Sequence, residues 1–318
     1  MSHSQEGSSI NNKEISHLKN EYIKFTEFLC SVIGEDKFKK SKFWFFQKQL
    51  SKLHELDLTD QKKLLSIINK YGRILPIFEG DIDYLKSNLL KIVAGSHTYS
   101  NLSESHNDFY FEFDMALRYL LGKGKKKINI TSDCDIIIDD DIAIECKFLH
   151  GENGFEHNIR KAEKQIVNRI ESGLAKRGFI SIDLSQLVSG KDIQNFIDTI
   201  FLEFLNQNKV LGLNTRDSHS QIPHNKNFQK IIAGYINQNI EYYYYKAKKT
   251  YKHFKLDPRV CGVFFQYEDT FLLDSEELAT GLPIRIGCYD INKRYIAENQ
   301  FIDEEALKKE FHSLANGI

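Results

Sequence analysis

Residues 125–150, KKKINITSDCDIIIDDDIAIECKFLH, constrain the fold more than any other stretch of the chain. Isoleucine-rich runs at Lys127–Thr131, Cys134–Ile138 and Ile142–Leu149 are separated by turn formers, which is the pattern of three short β-strands. Asp139, Asp140 and Asp141 turn the second strand into the third, because Asp tolerates the left-handed backbone that tight turns require. A hairpin centred on Asp140 sets position 135 opposite 145 and position 133 opposite 147. Alternation along a strand then puts Glu145 and Lys147 on one face, and Ile144, Cys146 and Phe148 on the other. Asp135, Glu145 and Lys147 converge on one side of a hairpin whose other side is apolar.

That convergence costs stability unless something compensates it. Carboxylates directly opposed on a sheet lie within about 5 Å and repel. A divalent cation removes the repulsion, and Mg²⁺ is held by one or two carboxylates together with water and phosphate oxygens. A neighbouring lysine adds stabilisation to a developing oxyanion or orients an attacking water. Asp135, nine intervening residues, then Glu145-Cys146-Lys147 resembles the D…(D/E)-x-K signature of the PD-(D/E)XK, or restriction-endonuclease-like, nuclease superfamily.

The context of the motif carries the resemblance further. In that family the hairpin follows a helix bearing a Glu and a first strand, and precedes a helix and another strand. Here Phe109–Leu121 has apolar residues at 109, 113, 116, 117 and 120, a helical stripe with Glu112 at its edge. Phe155, Ile159, Ala162, Ile166 and Ile170 form a second stripe; Gly178 breaks it, and Phe179–Leu184 alternates as a strand. The order αβββαβ matches the family core over roughly residues 105–188. Cys134 stands where the family often has proline.

The resemblance implies roles residue by residue. Asp135 and Glu145 would hold Mg²⁺, with Mn²⁺ able to substitute, and Lys147 would act on water or phosphate. Glu112 is either a further metal ligand or a helix charge reaching solvent. Lys161 and Gln165, spaced i,i+4 and projecting together, either flank the site to contact substrate or are surface residues. Asp133 is either a second ligand or the cross-strand partner of Lys147. Without the resemblance, the whole set reads as solvent-facing hairpin carboxylates with a lysine partner.

Composition sets outer bounds. The 318 residues are 41% hydrophobic with a formal net charge of −1, so no global field draws the chain onto nucleic acid and any such contact needs a local patch. Five cysteines (30, 134, 146, 261 and 288) lack a CxxC pair, which disfavours a disulfide framework and a zinc site; Cys134 and Cys146 are expected to fill the apolar face behind the carboxylates. The polar start has no apolar signal segment, and no run is long enough to span a bilayer, so a cytoplasmic setting without membrane contact is expected. Walker and GxGxxG loops are absent from the sequence.

Around the core, residues 1–12 read as a disordered tail and residues 13–104 as a helical N-terminal region. Its stripes are Ile15–Leu29, Phe43–Leu53, Leu64–Tyr71 and Ile82–Ile92, with Asp57 or Thr59 and Gly80-Asp81 as caps. Residues 105–318 form the nuclease-like domain. After residue 184 the pattern reads as a helix at Asp192–Leu205, a loop at Asn214–Asn227 holding His219 and His224, and a long helix at Phe228–Lys255. Strands at Val260–Leu273 and Pro283–Asp290 extend the sheet, and a helix at Glu304–Leu314 closes the chain. Two basic-aromatic stretches, Lys37–Lys48 and the tyrosine run Tyr242–Tyr245 with the lysines after it, are either nucleic-acid surfaces or amphipathic helices with buried rings. Lys123–Lys127 either guides phosphate or is a solvated loop.

The expectation is an α/β protein: a restriction-endonuclease-like core with a mixed central sheet flanked by helices, preceded by a helical region. By resemblance it is a metal-dependent nuclease acting on nucleic acid, DNA ahead of RNA, as a homodimer or beside a partner protein of a prokaryotic defence system. The alternative is a catalytically silent nucleic-acid-binding or protein-interaction module on the same fold.

Overall fold

The computed structural model of the chain describes residues 7–10, 15–79, 82–83, 86–93, 106–121, 127–130, 135–250, 255–275, 278–299 and 302–316. The N-terminal part is helical: α1 (Ile15–Ile33), α2 (Glu35–Phe38), α3 (Lys42–Ser51), α4 (Leu58–Gly72), α5 (Leu75–Glu79) and α6 (Lys86–Val93), with edge strands β1 (Gly7–Ile10) and β2 (Ile82–Asp83). Then come α7 (His106–Leu121), β3 (Ile128–Asn129), β4 (Ile136–Ile138), β5 (Ile142–Phe148), α8 (Phe155–Glu171) and β6 (Arg177–Asp183). The remainder is α9 (Gly190–Val210), α10 (Thr215–Gln221), α11 (Lys226–Thr250), β7 (Val260–Ser275), β8 (Leu278–Ile291), α12 (Lys293–Glu298) and α13 (Glu304–Asn316).

The described strands form one mixed sheet in the order β1-β8-β7-β6-β5-β4-β3-β2. β5, β6 and β7 run parallel, whereas β3–β4, β4–β5, β7–β8 and β8–β1 are antiparallel. Alternation along the strands splits the core in two. Ile144, Phe179 and Phe264 face a cluster built by α1, α3, α4, α7 and α13. Their neighbours Ile180, Ile182, Val263 and Phe265 face α8, α9 and α11. The result is a three-layer α/β arrangement, and no helix among the described residues is long and apolar enough to cross a membrane.

The N-terminal helices meet the sheet through buried polar contacts as well as apolar ones. Asn69 donates to Thr270 Oγ1 at 3.2 Å and Ser66 to Asp269 Oδ1 at 3.0 Å. Asp114, with no exposed surface, accepts from Arg73 (2.7 Å), Arg118 (2.7 Å) and Arg285 (2.6 Å). Arg73 also donates to Glu268 at 2.6 Å. Elements from four parts of the chain (α4, α7, β7 and β8) are thereby joined at one buried ionic centre.

Several sequence expectations shift. Gly7–Ile10, inside the stretch read as disordered, pairs with the edge of β8, because backbone hydrogen bonding needs no apolar pattern. The stripe at Ile82–Ile92 divides into β2 and α6. Gly178 lies within β6 rather than ahead of it; a Cβ there would sit 2.5 Å from the Ala143 carbonyl and 2.6 Å from Ile166, so only glycine fits between β5 and α8. The expected loop at Asn214–Asn227 contains α10, started by an Asn214 side chain that accepts from Asp217 N–H at 2.7 Å. His219 in that helix is buried against the Phe201 ring, not a loop histidine. Asp57 caps α4 as expected, Thr59 lies inside that helix, and Gly80-Asp81 is outside the described residues. In Lys37–Lys48, Phe43 and Phe46 are core residues and even Lys42 is buried, donating to the Tyr71 hydroxyl at 3.2 Å.

Candidate functional site

The β4–β5 hairpin has the expected register: Ile136 pairs with Ile144, Ile137 with Ala143 and Ile138 with Ile142, centred on Asp140. Asp139 and Asp140 adopt φ values of 53° and 51°, and Asp141 N–H closes the turn on Ile138 O at 2.9 Å. Asp139 and Asp140 are exposed and Asp141 is half-buried, a solvated turn whose carboxylates still find partners. Asp139 accepts from Lys127 N–H at 2.8 Å, Asp140 pairs with Lys127 at 3.0 Å, and Asp141 with Arg177 at 3.1 Å.

This register delivers the three motif side chains to one place. Lys147 Nζ lies 3.0 Å from Glu145 Oε2 and 3.5 Å from Asp135 Oδ2, so both carboxylates converge on one ammonium. Asp135 Oδ2 also accepts from Cys146 N–H at 2.6 Å, which pins the carboxylate against β5. Glu145 is fully buried, while the Lys147 and Asp135 side chains keep 13% and 18% of their surface exposed. Burial works against the Lys147 charge, but Asp135 and Glu145 outweigh it and hold its pKa above the ordinary lysine value. Cys146 points the other way, into the apolar cluster with Ile142 and Ile144, and burial pushes its thiol pKa up.

Glu112 reaches the same cluster from α7. Burial first, then the negative charges of Asp135 and Glu145, push its carboxyl up to about 9, against the opposing pull of Lys91 and Lys147. Lys91, on α6, also lies over the Phe109 ring at 4.3 Å. The sequence did not mark Lys91: it is one lysine among many, and only the packing of α6 against α7 brings its charge to the site. Four ionisable groups from α7, the start of β4 and β5 thus share one electrostatic environment, with a lysine from α6 at its edge.

The remaining candidates divide. Lys161 is exposed on α8 and Gln165 is half-buried. Neither makes a hydrogen bond or ion pair with Asp135, Glu145 or Lys147 among the described residues, although the Gln165 Oε1 atom is buried without a hydrogen-bond partner. Asp133, Cys134 and residues 123–126 lie outside the described residues.

No group of three or more His, Cys, Asp or Glu side chains comes together closely enough to hold a metal among the described residues. The convergent pair is Asp135 and Glu145, already set around a cationic centre. Two carboxylates with water and phosphate oxygens suffice for Mg²⁺, and the charges of Asp135 and Glu145, which add to burial in raising Glu112, are of the sign a divalent cation offsets. Asp135 and Glu145 would be the residues to hold a hard cation, the rest of its shell coming from water or phosphate oxygens. No family model matches the chain, and no curated protein or solved structure matches it.

Proposed function

We propose that the chain is a metal-dependent nuclease on a restriction-endonuclease-like core, hydrolysing phosphodiester bonds in nucleic acid, with DNA the preferred class. The observation that carries the reading is the convergence of Asp135 and Glu145 on Lys147 at 3.5 and 3.0 Å, with Glu112 under the same charges. The element order α7-β3-β4-β5-α8-β6 around that cluster supports it.

In this reading Asp135 and Glu145 hold Mg²⁺, or Mn²⁺ in its place. The ion supplies Lewis-acid polarisation of the scissile phosphate and a lowered pKa for bound water. Lys147, held charged by its two partners, turns toward the phosphate side to orient the attacking water or to neutralise the pentacovalent oxyanion. Glu112 would serve as a further ligand or as a proton acceptor beside such an ion. Buried Glu145 and the amide-bound Asp135 are fixed before substrate arrives, so the reorganisation left to the reaction step falls on Lys147.

Cleavage of plasmid, linear duplex and single-stranded DNA and RNA, with Mg²⁺, Mn²⁺ or EDTA, tests the reading. Asp135→Ala, Glu145→Ala and Lys147→Ala should each lower metal-dependent turnover by at least about 10²-fold, the scale of losing one preorganised charge. Three variants that cut like wild type would sink it. One observation favours a second reading, a silent binding module: Lys147 already neutralises both carboxylates as the residues stand. Nucleic-acid binding unchanged in EDTA, with no cleavage under either metal, would select that reading.

A further inference from the structure

The Lys147 ammonium stands where the two hairpin carboxylates would frame a cation. It lies 3.0 Å from Glu145 Oε2 and 3.5 Å from Asp135 Oδ2. An ion such as Mg²⁺ bonds carboxylate oxygens at about 2.1 Å. A cation bonded to those same two oxygens, from the side the ammonium takes, would overlap it. The lysine and a metal therefore exclude each other from this position. Opposed carboxylates on a hairpin repel unless a positive charge sits between them, and in the metal-free chain that charge is Lys147.

Of the three side chains, the lysine is the one built to move. Asp135 Oδ2 is held at 2.6 Å by the Cys146 N–H, on a strand that is itself paired with β6. Glu145 has no exposed surface and no room to swing. Lys147 keeps part of its surface exposed, and its four-carbon stem has several rotatable bonds. It is also the penultimate residue of β5, at the carboxyl end of a parallel strand, which is the rim of an open α/β sheet where ligands bind. An ammonium that leaves the carboxylates can swing out toward that rim while both acids stay in place.

We propose that Lys147 is an internal counter-cation that exchanges with the metal, leaving Asp135 and Glu145 when a divalent ion enters and turning outward toward the phosphate side. The cluster is then charge-balanced in both states, and the lysine reaches substrate only when metal is present. The exchange rests on the nuclease reading for its assignment of Asp135 and Glu145 as the cation's holders, but needs no cleavage to operate. It also sets the metal affinity. Apparent binding is scaled by the fraction of molecules whose lysine is already off the carboxylates. A partly buried pair worth more than an exposed one keeps that fraction to about a tenth or less, which weakens metal binding at least about tenfold.

Two measurements without nucleic acid test the exchange. Calorimetric titration of Mn²⁺ and Ca²⁺ compares wild type with Lys147→Met and Glu145→Gln. Brief reductive methylation of wild type, read by mass spectrometry in EDTA and in Ca²⁺, follows the Lys147 amine against exposed Lys24 on α1. Lys147→Met should bind the ions at least about tenfold tighter than wild type, and Glu145→Gln should bind them more weakly. Methylation of Lys147 should rise severalfold with Ca²⁺ while that of Lys24 stays level. Metal binding no tighter in Lys147→Met overturns the proposal. So does tighter binding with unchanged Lys147 methylation, because the lysine would then act from a distance without giving up its place. The methylation arm needs no substitution, so it decides the matter even for a Lys147→Met chain that does not fold. Wild type and Lys147→Met that both bind neither ion remove the exchange and the metal-dependent reading together. Full exchange without Mg²⁺-dependent cleavage leaves the exchange standing and removes the nuclease reading; metal-dependent cleavage lost in Asp135→Ala, without exchange, does the reverse.

Discussion

At the residue scale, Glu112 gives the sharpest consequence of the site's charge. Its carboxyl titrates near 9 in the folded chain against an ordinary value of 4.5, with burial the largest cause. Between those pH values the folded chain binds a proton that the unfolded chain has released, so this group lowers stability as pH rises from about 4.5 to about 9 and costs nothing further beyond. Glu112→Gln keeps the shape and cannot titrate. Urea unfolding in EDTA should therefore find the variant level with wild type near pH 4 and more stable at pH 8. The gain should be at least ~1.4 kcal/mol, one pKa unit's worth. A gain that is the same at both pH values would mean that Glu112 is not held protonated. Lys147 sits at the opposite sign: two carboxylates keep it charged, and the stability this contributes is lost only as pH rises through its raised folded value.

At the element scale, the hairpin and α8 are locked together through Gly178. With a Cβ 2.5 Å from a backbone carbonyl and 2.6 Å from the Ile166 methyl, Gly178→Ala must separate β5 from β6 or lift α8. Overpacking of this kind costs about 1–3 kcal/mol, which thermal melting would register as a drop of several degrees. Ala143, whose carbonyl is struck, lies two residues before Glu145 on the same face. The variant should thus lose turnover out of proportion to its stability; a melting shift with full activity would show that the strand absorbs the displacement without moving Glu145.

At the scale of the whole molecule, Asp114 joins the N-terminal helices to the sheet. Burial opposes its ionisation, yet Arg285, Arg73 and Arg118 outweigh that and hold its pKa well below the ordinary Asp value. The stability it contributes is present above the usual Asp range and is lost as pH falls through the lower folded value. Asp114→Ala would leave buried Arg118 and Arg285 and half-buried Arg73 around an empty site, with Glu268 as counter-charge to Arg73 and Arg285. Removing one partner from such a centre costs about 3–5 kcal/mol, so the denaturation midpoint should fall steeply. A loss under about 1 kcal/mol, the range of an exposed pair, would mean that water reaches the arginines.

Local pattern alone carried the hairpin, its register about Asp140, the helices on either side and the strands after residue 260. Isoleucine alternation and a left-handed Asp turn need no distant partner to be legible. The same pattern placed Asp135, Glu145 and Lys147 together, because cross-strand pairing is set by the turn. Other features waited on the tertiary structure. Glu112 joins the cluster, and Lys91 acts on it, only because α6 and α7 pack beside the sheet. α10 exists through a capping asparagine and a buried histidine rather than an apolar stripe. The exposure of Tyr242 and Tyr245 depends on which side of α11 the sheet occupies. Periodicity records how a segment divides inside from outside; which distant charges then share its environment is decided by packing between elements far apart in the chain.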